Sequence, residues 1–281
     1  RMSRVVSNAL KNFLMVRPTL FDKVVYSINP WMDPESKPVN RELAKSQWNI
    51  LKGTIENAGG NTHVMESDSA TGWPDLVFSA NGAVVRGKKA YLASFLHPER
   101  RGERKFFEAW FKENGFETCG RDDIAFEGAG DALWCGKNNS LLFAGVGPRT
   151  DIRTLSDIAE KLDDGSGFKV IGCKLIDPRF YHIDVAFCPL SDELALWFPG
   201  AFDPVTQHNM KNEDIELVPV TVEDAGFFSC NAIVVGKTVI MAETTTKVAK
   251  IVEKLGFNPI FIDMSEFIKS GGSCKSCTLE I

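Results

Sequence analysis

The stretch DALWCGKNNSLLFAGVGPRTDIRTLSDIAEKLDDG, residues 131–165, decides how the chain folds. Two short apolar segments, 132–136 and 141–146, flank a polar turn and read as paired strands. A helix follows, opened by Thr150-Asp151, with Leu155, Ile158, Ala159 and Leu162 on one face and Asp163-Asp164-Gly165 at its end. The same order recurs elsewhere. Strands at 75–85 and 90–95 precede a helix beginning near Glu99, with Phe106, Phe107, Trp110 and Phe111 as its apolar face and a break at Gly115-Phe116. Strands at 182–189 and 194–198 lead into a less regular helical segment. Strands at 232–235 and 238–241 precede a helix at 245–255 and a strand at 259–262. An N-terminal strand at 13–17 and a helix at 40–58 pair with a C-terminal strand at 276–281. The units recur about every 45–55 residues, the signature of repeated supersecondary structure. No strand pair can bury its own apolar face, so the units close around a common centre. The reading is an α/β propeller over residues 1–281, a single domain with helices outside and a site in the central channel. An ordinary doubly wound α/β fold is the alternative.

Composition narrows the function. Hydrophobic residues make up 44% and charged residues 25%, with a net charge of -5 and a pI of about 5.5. Nothing here recommends a nucleic-acid partner. No apolar run approaches the roughly 18–20 residues that span a bilayer, so no membrane association is expected. Arg1-Met2-Ser3-Arg4 reads as a recombinant remnant ahead of a native start, without the apolar core of a signal peptide. The expected location is cytoplasmic, with a mitochondrial one, through a transit peptide lost ahead of residue 1, as the alternative. Seven scattered cysteines read as reduced thiols. Cys274 and Cys277 have Cys-x-x-Cys spacing but lack a second Cys/His pair, so no metal site is assigned.

Five polar segments stand at strand ends: 74–81, 100–103, 126–131, 181–184 and 271–278. Each couples a turning backbone with one or two ionisable or amide groups. Acids converging on a buried channel are costly unless a cation joins them. A planar guanidinium with five N–H donors is the cation that carboxylates and amides best surround.

Taken in order, these segments resemble the guanidino-modifying superfamily: arginine deiminases, dimethylarginine dimethylaminohydrolases, arginine and succinylarginine dihydrolases, and amidinotransferases. The resemblance runs from Asn40-Arg41-Glu42 to the C-terminal strand. It implies a five-bladed α/β propeller and a catalytic set of nucleophilic cysteine, histidine and carboxylates. His182 and Asp184 match the family's His-x-Asp pair, and Glu127 to Asp131 match its Glu-Gly-Gly-Asp turn. Asp75 and Phe78 match a Pro-Asp-x-Val-Phe segment, with Phe78 packing on the substrate's methylene stem. Arg100 and Arg149 resemble the arginines that grip the substrate α-carboxylate. Glu127 and Asp184 would hold the guanidinium, and His182 would move protons. Neither a metal nor an organic cofactor is required, and the expected partner is a small guanidino compound.

One position departs from the family. The register Lys275-Ser276-Cys277-Thr278 puts serine where the nucleophilic cysteine belongs, and serine without a dedicated base is a far poorer nucleophile. The preferred reading of Ser276 is an engineered Cys→Ser change that traps substrate. A natural, inactive guanidino-binding paralogue competes with it, and use of Cys274 or Cys277 instead is a third reading. Consecutive strand residues face opposite ways, which argues against Cys277. The substrate turns on Ala80-Asn81. Deiminases and dimethylarginine hydrolases resemble each other in carrying Asp where this chain has Asn81, and the latter also carry Glu where it has Ala80. Asn resembles the dihydrolases, since a neutral amide suits the ureido group of a citrulline-type intermediate kept for a second round. The expectation is therefore arginine dihydrolase, with deiminase, dimethylarginine hydrolase, amidinotransferase and inactive paralogue as alternatives.

Overall fold

The structure, a computed structural model, describes residues 10–281; the Arg1–Arg4 segment lies outside the described residues. Fifteen strands among the described residues form five three-stranded sheets built on one plan. In each, an antiparallel pair is followed by a helix and a third strand parallel to the middle one. Strands β1 (Asn12–Val16) and β2 (Asn61–Met65) are joined by α1 (Arg41–Asn57). The second blade holds β3 (Ala83–Arg86), β4 (Lys89–Leu92), α2 (Arg104–Glu113) and β5 (Glu117–Cys119). The third holds β6 (Ala132–Cys135), β7 (Leu141–Val146), α3 (Thr154–Lys161) and β8 (Lys169–Lys174). The fourth holds β9 (Phe187–Ser191), β10 (Leu194–Trp197), α4 (Pro204–Lys211) and β11 (Glu216–Pro219). The fifth holds β12 (Ile233–Val235), β13 (Thr238–Ala242), α5 (Ala249–Lys254) and β14 (Asn258–Ile262). Finally β15 (Leu279–Glu280) pairs antiparallel with β1, Leu279 opposite Leu14, so both ends of the chain build the first blade. This is the five-bladed α/β propeller.

Each middle strand is sandwiched between two neighbours and reads as a short apolar run; all four residues of β10 are buried. Helix α1 is amphipathic, turning Ala44, Trp48, Leu51 and Ile55 onto its sheet. The Asn40 side chain caps it by accepting from the Leu43 amide at 3.0 Å.

The element boundaries differ from the sequence reading in six places, one being residues 183–185, placed in a strand, which form a 3-10 turn ahead of β9. Residues 74–82 are two 3-10 turns, Pro74–Val77 and Ser79–Gly82, rather than strand. Pro74 lacks an amide donor for a sheet, and the Phe78 amide turns back to the Asp75 carbonyl. The helix placed near Glu99 does begin there, as a four-residue helix at Pro98–Arg101, but is interrupted before α2. The junction is Gly102, where a Cβ would lie 2.0 Å from the Trp73 ring. Helix α3 starts at Thr154 because Asp151 accepts instead from the Arg153 amide at 2.9 Å in a local turn. The segment placed at 245–255 opens as a 3-10 turn, Glu243–Val248, before α5. The C-terminal strand begins at Leu279, because residues 273–278 fold back on one another in turns.

Gly82 lies against the Phe107 ring, where a Cβ would approach within 2.5 Å. This seats the turn carrying Asn81 on helix α2. Phe107→Ala should cost about 3–5 kcal/mol in denaturant unfolding. Gly82→Ala should also destabilise, and combining the two should recover part of its cost, since the cavity left by Phe107 accepts the added methyl.

Candidate active site

The first strand of each unit lies at the edge of its sheet nearest the axis, and a tight turn brings the chain to it. These turns carry the polar residues. Asn81 precedes β3, Asp131 precedes β6, and His182 and Asp184 precede β9; Asn231 precedes β12 and Ser276 precedes β15. Five inward turns thus present short polar side chains to one end of the axis.

Asp75, Phe78, Asn81, Arg100, Arg149 and Ser276 line a single cavity, covered by Ile28, Asn29 and Tyr181. Its free space is about 10 Å³, roughly one water. A ligand of arginine's size needs more room than this, and the segment around Ile28 and Asn29 forms part of the wall. That segment is tied down by polar contacts: Tyr26 Oη donates to Asp75 Oδ2 at 2.8 Å, and Asn29 Nδ2 donates to the Ser270 carbonyl at 3.1 Å. Trp31 Nε1 donates to the Arg179 carbonyl at 2.9 Å. A larger cavity of about 390 Å³ runs along the inner strands and is bordered by Lys275 rather than Ser276.

Both predicted arginines are engaged by internal partners. Arg100 forms a buried fork with Glu103, at 2.9 and 2.8 Å, and also donates to Asn81 Oδ1 at 2.8 Å and the Asp75 carbonyl at 3.1 Å. Burial opposes the Arg100 charge, but Glu103 more than offsets it and keeps the guanidinium protonated. Because Arg100 has only donors, the Asn81 oxygen must face it, and Asn81 Nδ2 is left buried without a partner. Arg149 donates to Glu127 Oε1 at 2.7 Å and to the Ile28 carbonyl at 2.8 Å, with its guanidinium 4.6 Å from the Tyr181 ring centre.

Glu127 is fully buried. Burial works against its ionisation, but Arg149 and His182 hold its carboxyl well below the usual range. It accepts from His182 Nε2 at 2.9 Å, so the imidazole carries its proton there and Nδ1 keeps a free lone pair. Burial lowers the His182 pKa to about 4 despite Glu127, so the ring is neutral at pH 7. Gly130 lets Asn81 and His182 close on this point: a Cβ there would lie 2.2 Å from Asn81 Nδ2 and 3.2 Å from His182 Nδ1. Asp131 is a strut, accepting from Thr150 Oγ1 at 2.6 Å and the Ile183 amide at 3.1 Å.

At position 276 the serine hydroxyl donates to Asp184 Oδ2 at 3.5 Å. Burial raises the Asp184 pKa to about 7 against the opposing charge of Lys275, and its second oxygen has no partner. Asp75 is likewise pushed up by burial, against Arg100, and also keeps an orphaned oxygen. Cys274 and Cys277 are buried in an apolar cluster with Phe21, Ile240 and Phe267, and neither lines the cavity. Residues 276 and 277 do face opposite ways, but through a turn rather than the alternation of a strand.

The structure adds residues that the sequence reading passed over: Asn231, Glu103, Tyr26, Tyr181 and the 28–29 segment. Asn231 was detectable, since it occupies in the last full unit the place that Asn81 and Asp131 hold in theirs. Tyr26 and the 28–29 segment lie in a stretch with no periodicity to place it.

Five blades around an axial pocket of paired acids, arginines and a neutral histidine define a guanidino-modifying α/β propeller. The chain belongs to the family described as N,N dimethylarginine dimethylhydrolase, eukaryotic, whose model matches residues 25–281. It is 38% identical over 271 residues to the bifunctional arginine dihydrolase/ornithine cyclodeaminase ArgZ of Synechocystis, covering 95% of this chain and 37% of that protein. The chain thus spans little more than a third of that relative. It is 35% identical to the N(G),N(G)-dimethylarginine dimethylaminohydrolase of Mycobacterium tuberculosis, covering 96% of this chain and 86% of that one. The crystal structure of the ArgZ N-terminal domain, a cysteine-to-serine mutant bound to substrate, superposes with a TM-score of 0.89 at 37% identity, covering 96% of this chain and 97% of that one.

Asp184 gives a pH-dependent stability test. Its folded pKa of about 7 lies above the ordinary carboxyl value. Folding therefore carries no penalty where both states are protonated, below about pH 4, and the full penalty above pH 7. Asp184→Asn should raise stability by on the order of 3–4 kcal/mol at pH 8 and leave it nearly unchanged at pH 4, read from urea midpoints.

Proposed function

We propose that this chain carries the guanidino-hydrolysing site of an arginine dihydrolase, with Ser276 standing in for the nucleophilic cysteine. The observation that carries the reading is the set of unmet hydrogen-bonding groups in the cavity wall and directly behind Ser276. Asp75 Oδ1 and Asp184 Oδ1 are buried acceptors and Asn81 Nδ2 is a buried donor, all without partners. The two acceptors call for a ligand rich in N–H, which a guanidinium and an α-ammonium supply. The Asn81 donor suits a neutral acceptor, the oxygen of a ureido group, more than it suits a cation. Two acceptors and a fixed donor fit arginine first and the citrulline-type intermediate next.

With cysteine at 276, the thiolate attacks the guanidinium carbon while Asp184 holds the cation beside it. Neutralising Asp184 with substrate also removes the charge that discourages thiol ionisation. The thiol proton, taken up by His182 Nδ1, passes to the departing nitrogen, and the tetrahedral adduct expels ammonia, leaving a thiouronium on sulfur. His182 Nδ1 then accepts a proton from water, which attacks the same carbon and releases the ureido compound. A second attack and hydrolysis complete the sum: arginine and two waters give ornithine, two ammonia and carbon dioxide. Phe78 packs on the methylene stem. Arg149, once freed from the Ile28 carbonyl, meets the α-carboxylate, and Arg100 fixes the Asn81 amide besides reaching it. The chemistry runs on side chains and water alone.

Two further observations on relatives support the reading. The substrate-bound ArgZ domain is a cysteine-to-serine mutant, the state we assign to Ser276. An asparagine-to-serine mutant of the same domain was solved covalently bonded to a reaction intermediate, as expected if an amide is needed to finish turnover.

The test is Ser276→Cys incubated with arginine while ammonia, citrulline and ornithine are followed. Two ammonia per ornithine supports the dihydrolase; citrulline with one ammonia makes it a deiminase, and turnover of dimethylarginine alone reassigns the substrate. Adding Asn81→Asp should make citrulline accumulate. The unaltered Ser276 protein should bind arginine without consuming it. Because the guanidinium requires ionised Asp184, calorimetric affinity should level off above pH 7 and fall up to about tenfold per unit below it.

A further inference from the structure

We propose that Asn231 is the positioning residue of the nucleophile: its amide holds residue 276 in place and gives a hydrogen bond to the attacking atom. The proposal rests on the reading of position 276 as the nucleophile site. Asn231 is wholly buried in the turn ahead of β12, and every polar atom of its side chain is engaged around residues 273–276. Its Oδ1 accepts from the backbone amides of Ser273 at 3.1 Å and Ser276 at 3.2 Å. Backbone amides only donate, so the oxygen and nitrogen of this side chain are assigned without ambiguity. The other amide atom is then Nδ2, which lies 3.0 Å from Ser276 Oγ and 3.3 Å from the Asp184 carbonyl; Oδ1 lies farther from the same Oγ, at 3.3 Å. The Asn231 carbonyl accepts from the Lys275 amide at 3.2 Å, so backbone and side chain together clasp the turn.

The arrangement matters because residue 276 sits between opposing influences. Asp184 Oδ2, 3.5 Å from Oγ, destabilises negative charge on the nucleophile. Lys275, next in sequence, borders the larger axial cavity and makes no hydrogen bond to residue 276. His182 Nε2 is committed to Glu127. Among the described residues the Asn231 amide is the side-chain N–H that meets Ser276 Oγ. A thiolate there would gain a donor already fixed in direction, which favours the ionised form and aims its lone pairs.

Asn231→Asp separates the two roles. A carboxylate keeps both acceptor bonds to the 273 and 276 amides but replaces the donor with negative charge. In the Ser276→Cys background, iodoacetamide alkylation is followed against pH, with the unaltered Ser276 protein as the blank for the other seven thiols. Asn231→Asp should move the alkylation midpoint up by about one pH unit or more and lower kcat at least about tenfold, with KM little changed. Asn231→Ala, which removes the donor without adding charge, should shift the midpoint the same way by less, and it carries the test if the aspartate variant does not fold. A lowered melting temperature with an unmoved alkylation profile would overturn the proposal and leave Asn231 a structural peg. Alkylation needs no substrate, so its outcome is independent of whether arginine is the compound turned over. A shifted profile with no arginine turnover in the Ser276→Cys parent would sink the dihydrolase reading and keep this one.

Discussion

Uncompensated negative charge buried at the propeller axis is the constraint around which the structure is arranged. Four carboxyl groups, those of Asp75, Glu103, Glu127 and Asp184, are withdrawn from water around one small cavity. Two arginines answer two of them, Arg100 with Glu103 and Arg149 with Glu127, in forks and short contacts that leave neither charge exposed. Asp75 has a tyrosine hydroxyl and the nearby charge of Arg100, and Asp184 a hydroxyl at the limit of contact and the nearby charge of Lys275, but neither has an ion pair. Each retains an oxygen with no partner, a state that costs folding free energy until a donor arrives. Binding and folding are thus set against each other here, as is common where a site is built before its ligand comes.

The propeller makes this concentration possible. In every blade the chain reaches the axis through a tight turn and leaves along an apolar inner strand. A polar residue in the turn is therefore carried to the same end of the axis, however far apart the turns lie in sequence. Asn81 and Ser276 are separated by most of the chain, yet the Ala80 amide donates to the Ser276 carbonyl at 3.2 Å. Close approach is bought with glycine: at Gly272 a Cβ would lie 2.5 Å from the Phe78 ring and 2.9 Å from Ser276 Cβ.

The fold was readable because its signal is repeated. Two short apolar runs, an amphipathic helix and a third run recur, and a family resemblance set the number of blades. The expected site residues also converge, Asp75, Phe78, Asn81, Arg100, Arg149 and Ser276 on the cavity wall and His182, Glu127 and Asp184 bonded to them or to one another. What the sequence did not disclose was pairing. Nothing in Arg100-Arg101-Gly102-Glu103 says that the first arginine turns inward onto Glu103 and Asn81 while Arg101 turns out to the Phe95 and Leu96 carbonyls. The first part of the strand assigned to residues 75–85 failed for a related reason. Apolar residues at Leu76, Val77 and Phe78 satisfy a strand template, but their backbone closes on itself in turns. Local hydrophobicity cannot tell the two apart when both bury the same side chains.

The covering segment has one further property. Trp31 lies at its outer end, its indole N–H on the Arg179 carbonyl and its ring 4.7 Å from that of Phe228. A displacement of residues 26–31 would change the surroundings of that indole. Trp31 thus ties the position of this segment to the polarity around an indole, one of the six in the chain.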